Sequence, residues 1–267
     1  MKVALAAWAS AAVLVLIAPL LLTRGSWHVR WPRTALTAWF SAFFLGGVLL
    51  LVALTSTAVR AAQTTSADHF TAAAVTLLAW AGFGAVGVGL SVALSNASRV
   101  NQSHRNSILA LAPVALSRED RGDFTLVRFE STDPVACAVP GSEDEILLST
   151  SLENALPAAE VRAILAHEYA HLHHRHGWAL AIAHLNAACL PRFLPAGRKL
   201  HRATLRLIEL AADDAAARQT GAVHLANALA HMSELTGEVS LDLRAERIAM
   251  RRWRPARLCR TPEPIRI

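Results

Sequence analysis

The sequence predicts a mainly α-helical protein, with N-terminal transmembrane helices followed by a small α+β domain. Three observations lead there. Of 267 residues, 54% are hydrophobic and the mean hydropathy is +0.35, too apolar for an ordinary soluble chain. The excess lies in the first hundred residues, in three long uncharged runs. Beyond residue 125, alanine- and leucine-rich segments with helical period predominate.

The apolar runs are residues 3–22, 35–59 and 70–94, and none contains Asp, Glu, Lys or Arg. Each has about the 20 residues that a helix needs to cross a bilayer. Lys2 before an apolar core would also suit a signal peptide, but the core is long and no A-x-A site follows Pro19, so a retained span is expected. Arg24, Arg30 and Arg33 follow the first run, Arg60 and Asp68 the second, Arg99 and Arg105 the third. Positive-inside counting puts the first loop and everything after Leu94 in the cytoplasm. Trp27, Trp31 and Trp39 fall near the interfaces. Gly82, Gly84, Gly87 and Gly89 in the third run fit either a close helix–helix seam or ordinary membrane-helix composition. Residues 1–98 form the membrane domain in this reading, and 99–124 a linker.

The chemistry is concentrated in His167-Glu168-Tyr169-Ala170-His171. Histidines at i and i+4 share one helix face. Their imidazoles can meet one small cation, and a glutamate after the first histidine can act on a water held there. The surrounding segment reads as a helix. Pro157 and Glu160 suit its first turn, Val161, Ile164, Leu165 and Leu172 make an apolar stripe, and Gly177 is a natural stop. The competing reading is a solvated, histidine-rich helix end, since His173, His174 and His176 follow at once. A catalytic zinc takes three protein ligands and keeps one open position. Glu209 is the third-ligand candidate. It lies in a helical run from about Leu200 to Gln219 that Gly221 can end, and Asp213, four residues on, shares its face. Asp213 can then bond the free ring nitrogen of a zinc histidine. The plain alternative is a solvated face paired with Arg206 or Arg218.

As a set, these residues resemble the integral-membrane zinc metallopeptidases of the glutamate-ligand type. One branch holds the CAAX prenyl endopeptidases and HtpX heat-shock proteases, the other the antibiotic-sensor peptidases of the MecR/BlaR type. In both, an H-E-x-x-H helix precedes one carrying E-x-x-x-D, here His167, Glu168, His171, Glu209 and Asp213. The family's upstream strand, turn and strand match Ala136-Cys137-Ala138-Val139-Pro140-Gly141 and Ile146 to Leu152. The wording LIELAADDAAARQTG looks more like the sensor branch. The resemblance covers roughly residues 125–235 and implies a zincin-like fold over 125–240. The asparagine that often opens the upstream strand in the CAAX/HtpX branch is absent, with Val135 near its place. No S-x-x-K motif and no room for a penicillin-binding domain before Ile267 are found, so direct antibiotic sensing is not expected.

The mechanism expected has one Zn2+ per chain on His167, His171 and Glu209, with Glu168 as general base and then acid. Arg206 or His224 could stabilise the oxyanion, and the strand Ala136, Cys137, Ala138, Val139 could take a substrate peptide as an added strand. The expected partners are a protein or peptide substrate, the lipid bilayer and a separate sensor protein, with cleavage of a repressor as one regulatory outcome. The expected location is the cell membrane, multi-pass, with the peptidase domain cytoplasmic. The rival class is a non-catalytic membrane protein that binds or senses metal through His167 to His176.

Residues 178–195 form a further apolar stretch, interrupted by His184, Asn186 and Pro191, that reads as an interfacial hairpin. Three cysteines, Cys137, Cys189 and Cys259, without a C-x-x-C, imply reduced thiols. The net charge of +6 is concentrated in 241–267, a basic segment expected to be poorly ordered. Its arginines, Arg244 among them, and Trp253 suit anionic headgroups; with no DNA-binding motif, nucleic acid is not an expected partner.

Overall fold

A computed structural model describes residues 2–17, 24–63, 115–189 and 195–253, together with scattered helical positions between 73 and 95. The chain divides into two units, residues 1–99 with 179–207, and residues 100–178 with 208–267.

The first unit opens with α1 (Lys2–Leu16), α2 (Trp27–Arg30) and α3 (Pro32–Gln63). Small residues face small residues where α1 meets α3: Ala7, Ala11, Ala35 and Ala53 are all buried. Trp8 Nε1 donates to Thr57 Oγ1 at 3.5 Å across the same pair of helices. Within α3, the 29 residues Pro32–Arg60 are long and apolar enough to cross a membrane, the one such helix among the described residues. The first expected span is helical through Leu16, and residues 18–23 lie outside the described set. Of the glycines in the third run, Gly82 makes a close approach: a Cβ there would sit 2.8 Å from Leu54 Cδ2, while Gly84 and Gly87 face open space. Gly89 lies outside the described residues. The stretch after residue 178 belongs to a single helix, α6 (His176–Cys189), and His184 on it lies 3.3 Å from His201 on α7 (Pro195–Thr220). The chain therefore does return on itself here, as two helices; the connection at 190–194 lies outside the described residues.

The second unit carries a four-stranded sheet, β1 (Ala115–Asp120), β2 (Thr125–Phe129), β3 (Ala136–Val139) and β4 (Glu145–Ser149), in the order β1-β2-β4-β3. The central pair is parallel and both outer pairs are antiparallel. Alternation along the strands separates two faces. Leu126, Ile146 and Leu148 join the main core, while Val127, Phe129, Val139 and Leu147 form a smaller cluster. The strand β1 lies within the expected linker 99–124. Its burial pattern is exposed throughout, with no apolar alternation to reveal it.

Four more helices complete this unit: α4 (Thr150–Ala155), α5 (Ala158–His173), α8 (Ala222–Thr236) and α9 (Val239–Met250). The core joins Val161, Ile164, Leu165 and Leu172 of α5 to Leu225 and Leu229 of α8 and Leu241, Ala245 and Ile248 of α9. The expected tail 241–267 is thus a packed helix to Met250. Its i, i+4, i+7 apolar stripe is outweighed in the sequence by the density of arginine. Residues 254–267 lie outside the described set.

Sheet and helices are joined at Ser149, fully buried at the end of β4. Its Oγ accepts from the Leu152 N–H at 3.3 Å, capping α4, and from the Val135 N–H at 2.8 Å. Ser149→Ala leaves both donors unpaired and should lower unfolding free energy by about 1–2 kcal/mol. The check is chemical unfolding of the purified protein, where an unchanged midpoint would contradict this role.

Candidate metal centre

The helix α5 presents its apolar stripe to the core, and its 3.6-residue period places His167 and His171 one turn apart on the adjoining face. Their Nε2 atoms stand 3.1 Å apart. The 26-residue α7 runs past them and ends at Gly221, whose φ of +98° suits glycine. Ala211, Ala212, Ala216 and Ala217 on it are buried. The Glu209 carboxylate faces both rings, with Oε2 3.4 Å from His167 Nε2 and Oε1 3.7 Å from His171 Nε2. Two imidazole nitrogens and a carboxylate oxygen lie within 4.8 Å of one another, the one such triad among the described residues.

The donor set fits zinc. Zinc–nitrogen bonds of about 2.0–2.1 Å in a tetrahedron separate ligand atoms by about 3.3 Å. The two Nε2 atoms at 3.1 Å and Glu209 Oε2 at 3.4 Å from His167 Nε2 are close to that edge length. Behind the triad, Asp213 is fully buried and its Oδ1 lies 3.0 Å from His167 Nδ1. The contact is short but bent, leaving Nδ1 without a well-aligned hydrogen bond, so it is an ion pair first. Burial pulls the His167 pKa down, but Asp213 and Glu209 outweigh it and lift the imidazole to about 10. The same carboxylates would favour a divalent cation. His171 goes the other way, held down to about 4 by burial and by the charge on His167. Burial raises both carboxylates, yet the contact with His167 prevails: Glu209 falls to about 2, and Asp213 falls further.

Arg244, from α9, closes the site. Its Nε and Nη2 grip Asp213 Oδ2 and Oδ1 at 2.9 and 2.7 Å, Nη1 lies 3.2 Å from Glu209 Oε2, and Nη2 is 3.4 Å from His167 Nε2. Asp214, also buried, holds the same helix through Arg247 at 2.6 Å and Arg251 at 2.5 Å. The arginines assigned to headgroups therefore include three that pair inside the protein. Arg206 and His224, the expected oxyanion donors, are both exposed, and the structure instead puts Arg244 beside Glu209.

Glu168 points from α5 toward the sheet. Its Oε2 accepts from the Ala138 N–H at 2.8 Å. The strand β3 is an edge strand, and its alternation leaves the backbone groups of Ala136 and Ala138 on the outer side. Burial raises the Glu168 pKa, opposed by His167 and by the Ala138 N–H. Cys137 lies between, its thiol pushed up to about 12 by burial and the Glu168 charge, which keeps it protonated and a poor nucleophile.

The end of α5 departs from expectation. The helix stops at His173, and the chain turns through Arg175 before α6 begins, so Gly177 lies inside α6 rather than at a stop. His173 and His174 are exposed, but His176 is buried, with Nδ1 3.1 Å from His171 Nδ1. Sequence reasoning missed both Arg244 and His176. The apolar period of α9 was a signal for the first; no local pattern marks the second.

Among known proteins, the sequence model of peptidase family M48 matches residues 98–237, just over half of the chain. No curated protein and no solved structure matches it.

Two outcomes follow from the geometry. His167 is protonated at neutral pH, and ligation requires its neutral ring, so zinc uptake near pH 7 should release about one proton. Calorimetry in buffers of different ionisation enthalpy reads this directly, and an identical apparent enthalpy in all buffers would contradict it. Arg244→Ala strips the partner from a buried carboxylate and should cost about 3 kcal/mol of unfolding free energy, seen as a lowered denaturation midpoint.

Proposed function

The chain belongs to peptidase family M48, and on that premise we propose that it is a membrane-bound zinc metalloendopeptidase acting at the cytoplasmic membrane face. The observation that carries the reading is the convergence of His167, His171 and Glu209 on one point, with Glu168 on the same helix beside them. A zinc ion held there would supply Lewis acidity, lowering the pKa of water and polarising a carbonyl.

The chain's own residues do the rest. Glu168 takes the proton from the attacking water and delivers it to the leaving nitrogen, and its raised pKa suits both halves of that exchange. Asp213 orients His167 and keeps its ring charge-balanced. Arg244 is the cation nearest the ligands and is proposed as the donor that stabilises negative charge on the carbonyl oxygen. The substrate lies along β3 as an added strand, hydrogen-bonded through the Ala136 backbone and the Ala138 carbonyl, since the Ala138 N–H is held by Glu168, so recognition reads backbone before side chains.

The apolar α3 and the basic loops support a multi-pass membrane location with the site on the cytoplasmic side. The wording of residues 207–221 supports kinship with the antibiotic-sensor branch, and with it a regulatory role in which a separate sensor protein triggers cleavage of a repressor.

The decisive comparison is Glu168→Gln against Glu209→Ala. The first should keep one zinc per chain and lose proteolysis by at least about 100-fold. The second should lose zinc as well. A Glu168→Gln protein that still cleaves a casein-type reporter, or a Glu209→Ala protein with unchanged zinc content, would overturn the assignment.

A further inference from the structure

On an unbroken helix, five residues carry a side chain about 140° past a full turn. His176 would then point away from His171. It does not: the rings meet edge to face, 4.9 Å between centroids and 84° between planes, with the two Nδ1 atoms 3.1 Å apart. The cause is the backbone at Arg175, whose φ of +49° is the one positive value at a non-glycine among the described residues. That left-handed turn ends α5 and folds His176 back beneath it, where it is 6% exposed. A conformation that L-residues adopt at a cost in free energy is retained here, and such outliers concentrate at functional sites.

The direction of the Nδ1–Nδ1 hydrogen bond matters. A neutral imidazole carries one proton. If His176 donates, His171 holds its own proton on Nε2, the atom that faces His167 and Glu209. That tautomer has no lone pair for a metal. If His171 donates from Nδ1, its Nε2 lone pair is free. We propose that His176 is a positioning residue for the metal centre: it accepts the Nδ1 proton of His171, fixes the Nε2-ligating tautomer and holds the ring plane. This rests on the zinc reading above. The two histidine ligands thus have unlike supports, an anionic one behind His167 and a neutral one behind His171.

The test uses the full-length protein in detergent and zinc alone, with affinity read by competition against a chromophoric chelator. His176→Phe keeps a ring and removes the acceptor; it should weaken zinc binding about 10- to 100-fold. His176→Gln offers a side-chain oxygen to the same N–H and should recover most of the loss. A purely structural role would not show that rescue. The Co2+ form of His176→Phe should also show an altered visible spectrum, since the His171 ring is no longer fixed. At the turn, Arg175→Gly should leave affinity unchanged, whereas Arg175→Val, which resists positive φ, should reproduce the His176→Phe loss. If His176→Phe fails to fold by circular dichroism, the His176→Gln and Arg175 pairs carry the test. Wild-type zinc affinity and spectrum in His176→Phe, or equal losses in the Phe and Gln variants, would overturn the proposal while leaving the zinc reading intact. Absence of zinc binding by the wild-type protein would overturn both.

Discussion

The buried carboxylate of Asp213 is the constraint on which the second unit depends. It sits at no measurable exposure between the imidazole of His167 and the guanidinium of Arg244. An ionised carboxylate in that position is tolerable only when it is matched on both sides. One partner belongs to α5, the other to α9, and Asp213 itself to α7. A single charge therefore ties three helices from distant parts of the chain, and the neighbouring Asp214 repeats the link to α9 through Arg247 and Arg251. Assembling the site and packing the helices are one process rather than two.

Much of this was visible in the sequence because it is written in short-range spacing. His167 and His171 lie about one helical turn apart, and so do Glu209 and Asp213, so each pair shares a face whatever the tertiary structure. What could not be read is equally specific. Arg244 meets Asp213 across 31 residues, and no local period signals such a contact. In composition it is one arginine of many, in a segment that looked suited to a lipid surface. His176 was hidden for the opposite reason: the helical period is a good rule, and it places this residue on the wrong face unless the helix breaks. The break uses arginine where glycine would have announced it. The strand β1 escaped for want of an apolar alternation, since its sequence ALSRED is exposed along its whole length.

The first unit shows a similar division. Hydropathy locates the apolar runs, and the helix Pro32–Gln63 fulfils the length that the second run requires. Which glycine matters does not follow from composition. Four lie in the third run, and of those described Gly82 meets a neighbouring side chain, Leu54 on α3. A seam is defined by the one position where two surfaces touch, and a count of small residues does not reveal it.

The hydrogen bond from the Ala138 N–H to Glu168 has a further consequence. In the proposed mechanism the general base is moored to the backbone of the strand along which a substrate would lie. A peptide docking on that edge is thus indexed against a fixed point of the main chain, and the bond presented to the base is chosen by distance along the peptide. Such an enzyme behaves as a ruler more than as a lock, and flexible segments that can extend beside β3 gain access where folded ones do not. Selectivity would then rest on which chains can unravel beside that edge, a property of the target's stability and not of its sequence.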